Sequence, residues 1–371
     1  IGYPLLQNLL DEIAKDLKGI KVYTRQGTSI SNFPGLNLSQ TRRTPDLISI
    51  ADDNGSKIYT LITEAKTISQ KLEDSNLNKE LKLQLLDTIA IATYNKCEVL
   101  VTNYLTYKIV VKDQNGDIAV ELDYTLANSI QELETKIFTD RDYDQFRGFL
   151  THYLSDSGGS QPEKGLAPCL ANIAKLMWYE IDEMGKYVGI IDELKDIFHN
   201  KMGVSSTNTK YIALQASLMQ VTLVWQLWYH DKNTVFDLDT AIANCKDAYI
   251  KRALLLLRNS SSYNKYIDRM QKYVASLVSR LNRTDKTKFK SYFTQDIAST
   301  DFFEKLVEAL GDTLRREFGI YYTRKFRVEM MVAKLDRSIE EDLELTGGLL
   351  NREILIFDPA CGTGTFPTAI I

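Results

Sequence analysis

The alternation of apolar and polar positions is sharpest between residues 44 and 66, where Thr-Pro-Asp-Leu-Ile-Ser-Ile and Ile-Tyr-Thr-Leu-Ile-Thr-Glu-Ala-Lys flank a polar stretch at 51–57. Period two over both runs predicts two strands joined by a turn. On either side the spacing becomes helical. Leu5, Leu6, Leu9, Leu10, Ile13 and Leu17 predict an amphipathic helix over 3–17, and Leu77, Leu81, Leu85 and Ile89 predict a second one after the hairpin. Residues 21–25 read as a strand, and 27–43 as a polar loop ending in Arg42 and Arg43, where phosphates can be met. Three more strands follow at 98–102, 107–111 and 118–122, the last two joined at Asn115-Gly116, a dipeptide suited to a hairpin turn.

Beyond residue 123 the pattern is helical. A helix at 130–154 leads to a polar, Gly- and Ser-rich joint at 155–165, expected to be flexible. Further helices are predicted at 170–183, 190–199, 211–229, 238–258, 263–281 and 301–318. The one at 211–229 is apolar all round, which means burial; it is too short and too interrupted to span a membrane. Near the end a helix at 326–335 precedes the apolar run Ile354-Leu355-Ile356-Phe357, which predicts a buried strand emptying into Asp358-Pro359-Ala360-Cys361-Gly362-Thr363-Gly364.

The hairpin carries the first candidate chemistry. Asp46, Ile48 and Ile50 share one strand face, and Ile58, Thr60, Ile62, Glu64 and Lys66 share one face of the next. Two carboxylates and an amine therefore converge at one end. Asp46 and Glu64, with the main-chain carbonyl of Ala65 between, make the hard oxygen site that Mg²⁺ prefers, and Lys66 is placed to orient a water or neutralise a transition state. The competing reading is a surface hairpin with solvated acids. Against it, Glu64 and Lys66 end an otherwise apolar strand, where solvated charges are unexpected. Pro45-Asp46 and Glu64-Ala65-Lys66 resemble the PD-(D/E)xK nuclease core, and Val101-Thr102-Asn103-Tyr104-Leu105 resembles a segment in the nuclease domains of single-chain restriction-modification enzymes. The resemblance implies an α/β nuclease domain over 1–123, with Glu12 on the first helix as a further metal-side acid and Gln84 beside the site.

Composition narrows the partners. With 371 residues, 44% hydrophobic, and a mean hydropathy of −0.23, the chain has room for two or three ordinary globular domains. It shows no membrane span and no signal pattern, which points to the cytoplasm. Cys97, Cys169, Cys245 and Cys361 form no Cys-x-x-Cys pair, and His152, His199 and His230 lie far apart, so zinc and His-metal chemistry are not indicated. A net charge of −4 gives no global attraction to nucleic acid. Locally, residues 251–290 hold eleven basic side chains against two acidic ones, including Lys286, Lys288 and Lys290, with Tyr263, Tyr266, Tyr273 and Phe289 among them. Two readings stay open for this stretch: an arm tracking a duplex backbone, or a solvated helix face paired with acids elsewhere.

The second candidate site is at the end of the chain. A strand leading into a small-residue turn and a helix is where an α/β sheet binds nucleotide-like ligands, with Gly362 and Gly364 allowing close approach and Asp358 free to bond polar groups. Pro367 stands where the dinucleotide fingerprint has glycine, and no phosphate-binding Gly-Lys loop of an ATP-driven motor occurs. Asp358 to Phe366 resembles the S-adenosylmethionine loop of DNA adenine methyltransferases, and Gly319-Ile320-Tyr321-Tyr322-Thr323 resembles a segment preceding it in that class, with Arg324 in place of the usual proline. No Tyr-Ile-Gly follows, which removes the GIY-YIG nucleases, and no Asn-Pro-Pro-Tyr or Asp-Pro-Pro-Tyr is present to hold a flipped adenine.

Together the motifs resemble a type IIG or type ISP-like restriction-modification enzyme. The implied architecture is an α/β nuclease domain (1–123), a helix and linker (124–165), an all-α connector that binds DNA (166–318), and the beginning of a Rossmann-like methyltransferase domain (319–371). It implies Mg²⁺ at Asp46, Glu64, Ala65 and Glu12, with S-adenosylmethionine at Tyr321, Tyr322, Thr323, Asp358, Pro359, Ala360, Cys361, Gly362 and Gly364. The expected activities are cleavage of double-stranded DNA and, in the intact protein, adenine methylation. The rest of the methyltransferase and a target-recognition domain are expected in further chain. A methyltransferase of a phage-defence system with a non-catalytic N-terminal domain, or a non-enzymatic DNA-binding subunit, are the alternatives.

Overall fold

The computed structural model describes residues 2–15, 17, 21–26, 44–53, 56–72, 79–90, 98–113, 115–155, 162–183, 218, 220–225, 228, 235–258, 264–284, 323, 325–359 and 365–370. The chain divides into two compact units, 1–289 and 290–371, so the boundaries expected at 123 and 165 fall inside the first. The loop at 27–43, the helices expected at 190–199 and 301–318, and Lys286, Lys288 and Lys290 lie outside the described residues.

The first unit opens with α1 (Gly2–Ala14), β1 (Lys21–Gln26), β2 (Leu47–Asp53), β3 (Ser56–Ala65), α2 (Lys79–Ala90), β4 (Val99–Thr102), β5 (Thr106–Lys112) and β6 (Ile118–Thr125). This α/β order matches the one read from the hydrophobic pattern. The strands form one six-stranded sheet in sequence order, antiparallel throughout except between β3 and β4. That parallel pair needs a crossover, and α2 supplies it. The hairpin is tighter than expected: both strands run into the polar stretch, with a register shift between Ala51 and Asp52 absorbing its residues into the ladder. At the β5–β6 turn Gly116 has φ +88°, a conformation glycine takes without steric cost.

Two helical layers cover the sheet. On one face Ile62, Val99, Val101, Val110 and Ile118 join Leu81, Leu85 and Ile89 of α2 in a single buried cluster. Alternation turns Thr63 to the opposite face, where its hydroxyl lies 3.3 Å from that of Tyr153. Tyr153 belongs to α4 (Asp140–Leu154), which follows the short α3 (Ile130–Thr135). The expected single helix over 130–154 breaks at 136–139 because Thr139 and Asp142 form a capping box that starts α4 afresh. Next, α5 (Pro162–Glu183) begins inside the stretch expected as a joint and packs on α4. Residues 220–225 are helical, with Val221, Val224 and Trp225 buried as their apolar surroundings require.

The first unit's described part closes with α6 (Leu238–Asn244), α7 (Ala248–Arg258) and α8 (Asn264–Arg283). One helix was expected over 238–258. The Asp247 carboxylate accepts from the Ile250 N–H at 2.9 Å, an N-cap that starts α7 as a separate helix. In the second unit, α9 (Lys325–Glu341) extends the helix expected at 326–335, and a short α10 (Thr365–Ile370) follows. Residues 354–357, expected as a strand, do not form one: no strand among the described residues of this unit offers a ladder partner, and Leu355 and Phe357 stand 93% and 81% exposed. Among the described residues no helix is long and apolar enough to cross a membrane.

Candidate active site

The hairpin's register brings the acids together. Asp46 lies one residue before the first ladder pair, Leu47 with Thr63, so it stands beside the end of β3. There the Ala65 N–H donates to Asp46 Oδ2 at 2.8 Å, while the Tyr3 hydroxyl of α1 donates to Oδ1 at 2.9 Å. Glu64 shares the α2 face with Ile62. The Lys66 backbone N–H is held by the Thr102 carbonyl at 2.7 Å, which carries its side chain onto the same end of the sheet. From there Lys66 Nζ reaches Glu64 Oε2 at 3.5 Å and Gln84 Oε1 at 3.4 Å. One turn along α2, Thr88 Oγ1 lies 3.4 Å from Glu64 Oε1. Thr44, Glu64, Lys66, Gln84, Leu85 and Thr88 line a cleft of about 260 Å³.

Electrostatics distinguish this cluster from a solvated surface. The Glu64 and Lys66 side chains are only 14% and 17% exposed. Burial, and after it the Asp46 charge, push the Glu64 carboxyl up to about 7, against the pull of Lys66 and Thr88. Those partners sit near the outer limit of hydrogen bonding, where the interaction is weak. The buried acid is therefore only loosely balanced. The two carboxylates, with the main-chain carbonyl of Ala65 as a further donor, would offer an all-oxygen set, and that loosely balanced negative charge fits a hard divalent cation. Among the described residues no three His, Cys, Asp or Glu side chains gather to hold a metal, so an ion here would take its remaining ligands from main chain, water or substrate.

Glu12 does not belong to this cluster. Its side chain is 68% exposed and pairs with Lys15 one turn on, because α1 turns Leu6, Leu10 and Ile13 inward and leaves Glu12 off that stripe. The α1 residue that reaches the acid is Tyr3, which no pattern in the sequence marks. Gln84 stands against Lys66, on the helix where the nuclease resemblance places it.

Four cations of the basic stretch on α7 and α8, Arg258, Lys272, Arg280 and Arg283, face protein carboxylates. Arg280 Nη2 donates to both Glu98 oxygens, at 3.2 and 3.1 Å, and to the His152 carbonyl at 3.2 Å. Arg283 bridges Glu98 and Glu121, Lys272 lies 3.8 Å from Glu180, and Arg258 grips Asp239 with two bonds of 2.7 Å. Burial works to raise the Glu121 carboxyl, but the Arg283 guanidinium, the His152 hydrogen bond and Arg280 outweigh it and hold it well below the usual carboxylate range. Helical spacing explains the arrangement: Ser276, Arg280 and Arg283 fall on one stripe of α8 facing the sheet. At these positions the arginines are core and surface ion pairs, in line with the second of the two readings left open for the stretch. A larger cavity of about 610 Å³ lies between the β5–β6 hairpin and α8, but its arginines, Arg258 and Arg283, are those already paired.

Of the residues expected to hold S-adenosylmethionine, Thr323 and Pro359 are exposed and Asp358 is half-buried. Tyr321, Tyr322, Ala360, Cys361, Gly362 and Gly364 lie outside the described residues.

No family model matches the chain, and no curated protein matches it either. Among solved structures it is similar to the cryo-EM structure of the DrdV–DNA complex, at 15% sequence identity and a TM-score of 0.34, over 99% of this chain and 32% of that one. The chain thus spans about a third of the length of that protein.

Proposed function

We propose that the first unit is a metal-dependent nuclease that cleaves duplex DNA, the cutting part of a restriction-modification protein. The observation that carries this reading is the buried, loosely balanced Glu64 beside Asp46, with Lys66 and Gln84 lining the same cleft. In the proposed mechanism Asp46, Glu64 and the Ala65 carbonyl would hold Mg²⁺, which when bound would supply Lewis acidity. Lys66, positioned by Glu64 and Gln84, would orient an attacking water and offset the negative charge that develops on the phosphate. For the intact protein, the motif from Asp358 to Gly364, together with Tyr321, Tyr322 and Thr323, supports S-adenosylmethionine-dependent adenine methylation as the second activity.

The test is conversion of supercoiled plasmid to nicked and linear forms with Mg²⁺ or with EDTA. Asp46→Ala and Lys66→Ala are expected to abolish cleavage while leaving the thermal transition nearly unchanged, because neither change opens a cavity in the core. Full activity in Lys66→Ala removes Lys66 from the mechanism. Cleavage that survives EDTA removes the metal.

A further inference from the structure

Asp46 is gripped from two elements, by the Ala65 amide at Oδ2 and by the Tyr3 hydroxyl at Oδ1. Tyr3 is 37% exposed, so it is not there to fill the core. What sets it over Asp46 is the β4–β5 turn. Gly2 approaches Tyr104 so closely that a Cβ on it would stand 2.1 Å from the phenol oxygen. Tyr104 in turn has φ +70°, a left-handed conformation that a bulky residue adopts only at a cost. The turn around it is fully tied down: buried Asn103 accepts from the Leu105 and Thr106 N–H groups and donates to the Gln70 carbonyl at 2.8 Å, and the Tyr104 N–H donates to Thr102 Oγ1 at 2.9 Å. A strained tyrosine, an over-determined turn and a glycine cut to receive the ring together fix the first turn of α1 against the acid.

We propose that Tyr3 is a positioning residue that orients the Asp46 carboxylate for a divalent cation, with Tyr104 and Gly2 setting the helix turn that carries it. The proposal rests on the metal-dependent reading above. Each carboxylate oxygen offers two lone-pair directions, and the donors from Tyr3 and Ala65 take one on each oxygen, leaving the others for a cation. Without the Tyr3 hydroxyl the carboxylate turns more freely about its terminal torsion, and the ion must order it on binding. Hydrogen-bond partners of metal ligands of this kind change metal affinity or activity by about 10–100-fold.

The experiment is a calorimetric titration of the whole chain with Mn²⁺ in the absence of DNA, for wild type, Tyr3→Phe, Gly2→Ala and Asp46→Ala, with thermal unfolding of each. Tyr3→Phe keeps the ring and is expected to weaken Mn²⁺ binding about 10-fold with its melting temperature unchanged. Gly2→Ala, which displaces the Tyr104 phenol, is expected to weaken it in the same direction, and the Mg²⁺ concentration for half-maximal cleavage is expected to rise with the Mn²⁺ constant. Wild type and Tyr3→Phe binding Mn²⁺ equally overturns the role of Tyr3 and leaves the metal reading standing. A loss of affinity matched by a lowered melting temperature makes Tyr3 a structural residue and also overturns the proposal. No uptake by wild type, indistinguishable from Asp46→Ala, overturns the metal reading itself and Tyr3 with it.

Discussion

Replacing Glu64 with glutamine tests the electrostatics of the site apart from catalysis. In the folded chain burial and the Asp46 charge hold the Glu64 carboxyl at about 7, against 4.5 for the free side chain. Unfolding releases that pressure. Between 4.5 and about 7 the folded chain keeps a proton on Glu64 that the unfolded chain has lost, so stability falls as pH rises through this window. The contribution is whole below 4.5 and gone above about 7, and at about 1.4 kcal/mol per pH unit it amounts to about 3 kcal/mol. Glu64→Gln copies the protonated acid in shape and carries no charge at any pH. Wild type and variant are therefore expected to be about equally stable near pH 5, and the variant more stable by up to about 3 kcal/mol near pH 8. The assay is urea unfolding in EDTA followed by tryptophan fluorescence, which reports on the first unit because Trp178, Trp225 and Trp228 all belong to it. Saturating Mg²⁺ near pH 8 should restore the wild type and leave the variant unmoved. A stability difference that stays flat across this range would refute the reasoning.

Glu98→Ala is expected to destabilise the first unit by about 3–5 kcal/mol in the same urea assay, because it strands Arg280 and Arg283 without their shared buried partner; a loss below about 1 kcal/mol would mean the arginines find other acids. Arg258→Gln, by contrast, is expected to leave DNA affinity and its salt dependence unchanged, since Asp239 already occupies the guanidinium; a slope flattened by about 0.9 log unit would make Arg258 a phosphate contact after all.

Local pattern made the sheet legible. Period-two alternation located β2 and β3, where one face is buried, and short apolar runs located the fully buried β4 and β5. Helix breaks were harder to read. Thr139, through a reciprocal capping box, and Asp247, through one side-chain hydrogen bond, end one helical pattern and begin another while the apolar stripe continues past them. The strand expected at 354–357 failed for a non-local reason: four apolar residues carry strand propensity, but a ladder needs a neighbour, and the described residues of the second unit provide none. In the candidate site, the meeting of Asp46, Glu64 and Lys66 was legible because they are close in sequence and joined by one hairpin. Tyr3 was not, because its bond to Asp46 spans 43 positions and nothing about a tyrosine on a first helical turn announces an acid.

The basic stretch shows where a charge count stops being informative. A sum over 251–290 counts cations and cannot see that Arg280 meets Glu98 across 182 positions of chain. The sequence did hold a usable signal, although on the acid and not on the arginines. Glu98 directly precedes Val-Leu-Val-Thr, a strand buried at every position, and Glu121 interrupts the apolar run Ile118-Ala119-Val120 and Leu122 of β6. A carboxylate on such a strand must be paired, protonated or bound to a cation, since its desolvation is otherwise too costly. The same rule singled out Glu64. Applied to all three acids, it asks each for a positive partner, and the chain answers differently: Glu98 and Glu121 receive arginines from α8, whereas Glu64 receives only Lys66 at 3.5 Å. That difference, a weaker counter-charge beside an acid only 14% exposed, is why a cation is expected at Glu64 and not at the other two. It also accounts for the opposite displacement of the two carboxyls, Glu121 downward and Glu64 upward.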